Sequence, residues 1–255
     1  GTNNNSDTYV AWNWKAGGSA SSNYDGSITS TVSANTTAGF SIVSWTGNGS
    51  NGATIGHGLG ATPAIVITKR RSAVGDWQVG GSLIDTTRGG ANSLLLLNTT
   101  AAMDSNSEVY QTFSSTTFQV GVNAHINTSG STMISYCFSE KVGYSKFGSY
   151  TGNGNADGAF VYTGFRPAMV ITKRTNGTAH WTLNDTKRLG YNPCMRLYPN
   201  LSNAEESTGE VDLLSNGFKA RTTNDNQNGS GDSYIYMAFA EAPLVGSNNV
   251  PCTAR

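Results

Sequence analysis

The sequence predicts an all-β fold made of two tandem β-sandwich modules of jelly-roll type, from an internal duplication, with one extra strand at the N-terminus. Three observations carry this reading. Only 13% of the 255 residues are charged, and Gly, Asn, Ser and Thr clusters separate short runs of Val, Ile, Thr, Tyr, Phe and Trp. That is the composition of strands joined by turns. A long stretch of the chain then repeats, and one strand is left over when the repeats are counted.

The repeat begins at two turns. Thr46-Gly-Asn-Gly49 matches Thr151-Gly-Asn-Gly154, and Pro63-Ala-Ile-Val-Ile-Thr-Lys-Arg70 matches Pro167-Ala-Met-Val-Ile-Thr-Lys-Arg174. Trp77 and Trp181 follow at the same spacing, then Leu83-Ile-Asp-Thr-Thr-Arg88 and Leu183-Asn-Asp-Thr-Lys-Arg188. Thr117 to Val120 parallels Gly217 to Ala220, and each copy closes on a similar strand, Met133 to Glu140 and Tyr234 to Glu241. Ordered agreement of this length is the signature of duplicated structural units. The resulting division is an N-terminal strand (9–16) and polar linker over 1–38, a first sandwich over 39–142, a second over 143–245, and a tail over 246–255.

Taken in order, residues 9–16 align with the two closing strands, which places Trp14 over Phe138 and Phe239. The chain therefore opens on the last strand of a module whose body is absent, or its folded units are permuted relative to the repeat. Such a strand pairs within the first module, the simpler reading, or with a neighbouring subunit, because an unpaired edge invites association. Residues 17–37 read as linker or loop. Phe40 to Trp45 alternates and is read as covered on both sides. The TGNG turns supply Gly and Asn where a positive φ is needed. Ala64 to Thr68 is apolar enough for a central strand buried on both faces, and Pro63 and Pro167 stand at strand starts, where a missing N–H does least harm. Segments near Trp77, Leu94, Val109, Phe118 and Met133 complete about seven or eight strands per module. Helical signals are few; Asn203 to Glu206 reads as one turn.

Candidate chemistry is sparse. His57 in Gly56-His-Gly-Leu-Gly60 has no counterpart in the second copy, so a turn role is favoured over catalysis; His125 and His180 have no partner at a metal-ligating spacing. Asp85 and Asp185 recur beside Arg88 and Arg188, a pattern that Asp–Arg or Asp–backbone turn contacts explain without chemistry and better than a pair of catalytic carboxylates. Arg70 and Arg174, with Trp77 and Trp181, are the recurring residues suited to a ligand-binding face, against the alternative of strand-end charges and core tryptophans. The candidate ligand-binding set is thus Trp77, Trp181, Arg70, Arg174, Asp85 and Asp185, with no catalytic residue and no metal or other cofactor assigned. An Asn/Asp-rich loop at Asn224 to Asn228 lacks a calcium-loop pattern. Cys137 reads as a packed thiol; Cys194 and Cys252 are the pair left for a disulfide, with free thiols favoured. Sixteen basic residues balance sixteen acidic ones, so nothing points to nucleic acid. No apolar run is long enough to span a bilayer.

The opening YVAWNWKAGG, the runs GFSIVSWTGNGS…IGHGLGATPAIVITKR and GYSKFGSYTGNGNADGAFVYTGFRPAMVITKR, and the closing YIYMAFAEAPLVGSN resemble a β-rich domain of unknown function found at the C-terminal ends of tail and fibre proteins of marine tailed phages. The resemblance covers about Tyr9 to Asn248. It implies a virion surface component on the extracellular side, other virion proteins as partners and a homo-oligomer (a trimer, as fibres commonly are), and it supplies no catalytic residues; within that setting the leading reading is a tail-fibre part or adhesin with host-surface glycans as ligand. The alternatives at this stage are a purely structural spacer and a polysaccharide-degrading fibre enzyme, with a free-standing carbohydrate-binding module weaker still.

Overall fold

The computed structural model describes residues 4–188 and 192–242 and is almost entirely β. In the first half come β1 (Ser21–Asn23), β2 (Ser30–Asn35), β3 (Phe40–Thr46), β4 (Ala53–Gly56), β5 (Ile65–Arg70) and β6 (Gln78–Gly80). A short helix α1 (Ser82–Arg88) follows, then β7 (Ser93–Leu96), β8 (Asp104–Ser105), β9 (Tyr110–Phe113), β10 (Thr117–Val120) and β11 (Thr132–Phe138). The second half holds β12 (Ser145–Thr151), β13 (Phe160–Tyr162), β14 (Pro167–Arg174) and β15 (Thr182–Asp185). It closes with β16 (Cys194–Leu197), β17 (Glu206–Leu214), β18 (Gly217–Ala220) and β19 (Ser233–Ala240).

Three sheets result. One runs β1-β2-β3-β11-β5-β6-β7-β8, a second β4-β10-β9, and the third β12-β19-β14-β15-β16-β17-β18-β13. In each half the last strand lies between two earlier ones, β11 between β3 and β5 and β19 between β12 and β14. These central strands bury side chains on both faces, Met133 and Cys137 on one side of β11 and Phe138 on the other. Val43, Trp45, Val66, Met133 and Cys137 pack on Ile55, Phe118 and Val120 of the small sheet. The opposite face presents Phe40, Ile65 and Phe138 to the other half. In the second half the sheet curls so that Val161, Leu213 and Phe218 reach Val170, Tyr236 and Ala238.

The TGNG turns are held by two residues that sequence comparison passed over. Asn127 and Asn228 are fully buried. Asn127 Nδ2 donates to Ser50 O and Gly121 O, both at 2.9 Å, and its Oδ1 accepts Asn48 N at 3.1 Å. Asn228 does the same work with Asn155 O, Thr222 O and Asn153 N. The last glycine of each turn, Gly49 at φ 71° and Gly154 at φ 65°, adopts the left-handed backbone that disfavours any side chain.

The structure corrects several expectations. Residues 9–16 belong to no ladder; the segment is extended chain that lays Trp12, Trp14 and Ala16 on the core between the halves. Residues 17–37 are not a linker, since β1 and β2 extend the first sheet beyond β3. Glu206 starts a strand instead of ending a helical turn. The helix lies at Ser82–Arg88, capped by Gly89 with φ 79° and with Ile84 buried; its sequence was hidden by alignment to strand β15. The proposed tail 246–255 and Cys252 lie outside the described residues, so the pairing of Cys194 with it does too. Cys194 is buried as a free thiol, and so is Cys137, whose pKa burial pushes up to about 12.

The two halves pack on each other through apolar side chains. Phe40, Ile65, Val79, Ile84, Leu95 and Phe138 of the first half and Phe147, Met169, Trp181, Ile235, Met237 and Phe239 of the second form one core. Polar bonds lock this seam: Trp181 Nε1 donates to Leu96 O at 2.9 Å, Ala179 N to Thr100 O at 3.0 Å, and Met103 N to Thr175 O at 2.8 Å. Lys173 is fully buried here and donates Nζ to Thr100 O at 3.2 Å and Ala179 O at 3.0 Å. Burial, with a smaller contribution from the neighbouring Arg174 charge, lowers its pKa to about 8.

Because the core is shared, the halves are expected to unfold as one unit. Trp181→Ala should cost about 3–5 kcal/mol and should accelerate hydrogen exchange in β3 and β11 together with β14 and β19. Loss confined to the second half would refute the shared core.

Lys173 sets a pH dependence. Between about pH 8 and the ordinary lysine value of 10.5, the unfolded chain binds a proton at this residue that the folded chain does not, so its contribution to stability rises with pH. The stability of Lys173→Met relative to wild type, from urea titrations, is expected to fall by roughly 2 kcal/mol between pH 8 and pH 10. A constant difference would contradict the assignment.

Candidate functional site

The second half carries the most conspicuous aromatic surface. In β13, Val161 points into the core, while Phe160 is 48% and Tyr162 62% exposed on the other face. The strand is the last of its sheet, pairing on one side with β18 and ending the sheet on the other. Phe160 lies opposite Lys219 and Tyr162 opposite Gly217. The missing side chain matters, because a Cβ on Gly217 would come 2.1 Å from Val161 O and 3.0 Å from Phe160 Cζ. The Phe160 ring therefore lies over the bare backbone of Gly217.

A charged cluster lies beside this strand. Asp157 meets Lys219 Nζ at 2.6 Å and an Arg221 guanidinium nitrogen at 3.1 Å, and Arg221 also reaches Asp212 at 3.5 Å. The bond to Lys219, and then its charge, hold the Asp157 carboxyl below the usual range. Two aromatic rings beside paired charges and open backbone make a surface suited to a ligand with both apolar and hydroxyl-bearing faces.

The first half shows why this edge is open. Its corresponding strand β4 carries Thr54 and Gly56 at the two outward positions. That edge is covered: Ile28 N donates to Thr54 O at 3.0 Å, Ser27 N to Thr54 Oγ1 at 2.8 Å, and Ser30 Oγ to Gly56 O at 2.8 Å. The covering segment lies between β1 and β2. In the second half β12 follows β11 after a tight turn closed by Ser145 N to Lys141 O, which leaves no such segment.

The residues singled out from sequence are placed elsewhere. Trp181 is 2% exposed, inside the shared core, so it offers no face to a ligand. Trp77 is half-buried, stacked on Tyr136 at 6.5 Å with Lys69 Nζ 5.7 Å from its centroid. Arg70 donates to Ala124 O at 3.1 Å and Ser131 Oγ at 2.8 Å. Arg174 pairs with Asp232 at 2.7 Å and Asp225 at 3.5 Å. Asp85 accepts Ser93 N at 2.9 Å from the helix, and burial raises its pKa. Asp185, buried at a strand end, accepts Lys187 N at 2.8 Å and pairs with Arg188 at 2.6 Å. Among the described residues, no hydrogen bond, ion pair or ring contact joins any two of these six.

His57 is fully buried; its Nδ1 accepts Leu59 N and its other ring nitrogen meets Ser114 O, both at 3.2 Å, with its pKa lowered by burial. That is the geometry of a turn. A second charge cluster was not legible beforehand. Arg196, 3% exposed, binds both Glu206 and Glu210, and Tyr198 OH donates to Glu206 at 3.1 Å. Arg196 holds Glu206 low, while burial raises Glu210. One guanidinium thus takes up both carboxylates. A cleft of about 210 Å³ at the seam is lined by Thr87, Arg88, Met103, Thr175, Asn176 and Ser233. No group of three or more His, Cys, Asp or Glu able to hold a metal occurs among the described residues.

Phe160 and Tyr162 lie where the two halves differ, so the agreement between the halves does not mark them. Their signal was a difference: two large aromatics where the other copy has Thr54 and Gly56. Compared with known proteins, residues 1–243 match the family model described as a domain of unknown function, DUF7483. No curated protein and no solved structure matches the chain.

Proposed function

We propose that this chain, which belongs to the DUF7483 family of domains of unknown function, is a non-enzymatic virion surface component, part of a tail fibre or adhesin, that holds host-surface glycans on β13. The observation that carries the binding reading is the exposure of Phe160 and Tyr162 on an open strand beside Asp157, Lys219 and Arg221. Aromatic rings stack on the C–H faces of sugars while charged and backbone groups bond the hydroxyls. The virion setting rests on the sequence resemblance. In its favour as a binder over an enzyme, the acids that recur in both copies, Asp85 and Asp185, are engaged in internal contacts.

The duplication belongs to the same proposal. The common order of β3-β11-β5-β6-β7 and β12-β19-β14-β15-β16 supports descent from one module. So do the matching clamps of Asn127 and Asn228. The jelly-roll refinement gains no such support, because β5 and β14 pair with their own chain neighbours, β6 and β15. In this reading the varied edge, covered in one copy and bare in the other, is where binding was acquired.

Screening the purified chain on a glycan array is expected to give binders whose affinity falls at least about tenfold in Phe160→Ala/Tyr162→Ala, with the thermal midpoint nearly unchanged because both rings are exposed. Trp77→Ala should leave binding intact. No bound glycan, or unchanged binding by the double variant, would remove the reading and favour a spacer without ligand.

A further inference from the structure

Asp85 and Asp185 hold the same place in the repeat, but only Asp185 keeps its arginine. In the second copy Arg188 is closed in: its guanidinium bonds Asp185 at 2.6 Å, Glu205 at 3.0 Å and Met195 O at 2.7 Å, and its side chain is 9% exposed. In the first copy α1 takes the place of the strand. Asp85 accepts Ser93 N, and Arg88, in the last turn of the helix, is exposed. Its Nη1 donates to Met103 O at 3.2 Å, which fixes the group. Among the described residues no carboxylate pairs with Arg88, so its charge is unmet.

That charge opens on the cleft of about 210 Å³ between the halves. Thr87, Arg88 and Met103 come from the first half, and Thr175, Asn176 and Ser233 from the second. Met103 N donates to Thr175 O at 2.8 Å and ties the walls together. The second wall is held from within: Thr175 Oγ1 donates to Ser233 O at 3.1 Å, and Asn176 Oδ1 accepts Ser233 N at 3.2 Å. The acid behind it, Asp232, accepts Asn176 Nδ2 at 3.3 Å and is already neutralised by Arg174 at 2.7 Å. The cleft is smaller than the roughly 300–1,000 Å³ pocket of a drug-sized ligand, a size that suits one sugar ring better than a chain of them.

We propose that this cleft is a second subsite, for an acidic sugar residue whose carboxylate sits on Arg88. The choice of a sugar rests on the glycan reading above; the choice of an acidic one rests on Arg88. With Nη1 committed to Met103 O, Nε and Nη2 remain as the fork that a planar carboxylate takes with two parallel bonds. One guanidinium matches one carboxylate. Met103 offers the ring an apolar surface, and the Asn176 amide and Ser233 hydroxyl bond its hydroxyls. The site exists only because the halves share a core, since neither half alone holds both the cation and the polar wall.

The test titrates the full chain, labelled with nitrogen-15, with D-glucuronate, D-glucose and acetate. Glucuronate is expected to shift the amides of Thr87, Thr175 and Asn176 and to bind at least about tenfold more tightly than glucose or acetate, with the affinity falling as salt screens the pair. Arg88→Gln should lose this binding by about tenfold or more. Arg88→Lys, which keeps the charge but not the fork, should lose most of it. Residue 88 is exposed, so the thermal midpoint should stay nearly unchanged in both. Equal binding of glucose would remove the role of the charge, equal binding of acetate that of the ring, and undiminished binding in Arg88→Gln the site itself; each overturns the proposal, as does the absence of glucuronate shifts at these amides. The two sites separate cleanly. Phe160→Ala/Tyr162→Ala should leave the glucuronate titration unchanged, so a failure of the β13 reading does not touch the cleft. Glucuronate binding lost in that double variant and kept in Arg88→Gln would overturn the cleft and leave the β13 reading standing.

Discussion

The structure depends on the packing of two sheets face to face through one apolar core. Phe40, Ile65 and Phe138 meet Phe147, Ile235 and Phe239, and the Trp181 indole closes the seam by bonding to Leu96 O. Full burial of side chains of this size supplies about 1.5–3 kcal/mol each relative to exposure. The seam covers the face of β3, β5 and β11 that is turned away from the small sheet. This contact is why β3, β5, β11, β14 and β19 carry large apolar side chains on the face they turn to the seam. It is also why Lys173 is fully buried: the repeat places a lysine at the end of the third strand, and in the second copy that end lies under Thr100 and Ala179. In the first copy Lys69 instead reaches Gly75 O near the rim and lies by Trp77.

Equivalent residues therefore lead different lives in the two copies. Trp77 and Trp181 occupy the same repeat position, yet one stacks on Tyr136 and the other is sealed. Asp85 lies on a helix and Asp185 at a strand end, although their flanking sequences align. Recurrence thus marked structural residues, among them the buried tryptophan and the acids engaged in local contacts. Divergence marked the exposed surface, since Phe160 and Tyr162 replace Thr54 and Gly56 where the covering segment is missing. The edge of β13 stays open because the chain around β1 and β2 covers β4 alone.

The residues that hold the turns illustrate a related limit. Asn127 and Asn228 each bond a backbone N–H of a TGNG turn and the carbonyl just beyond it from far along the chain. A buried amide with that many bonds rigidifies both loops at once. In a sequence crowded with asparagine, neither residue stands out. The same holds for Arg196, whose partners Glu206 and Glu210 come from the adjacent strand.

By itself the sequence determined the all-β class, the positions of most strands, the turns with positive φ, and the burial of the central strands on both faces. These follow from side-chain alternation and local backbone preference, which act between near neighbours. It also determined the strand-like alternation of residues 9–16, but not their place against the seam. Only the tertiary structure decided that the halves share a core, that Trp181 lies inside it, and that α1 replaces a strand. The same holds for β13, which keeps an open edge while β4 loses its own. Those outcomes depend on which faces meet across the molecule, and a repeat of one pattern is silent about what covers each copy.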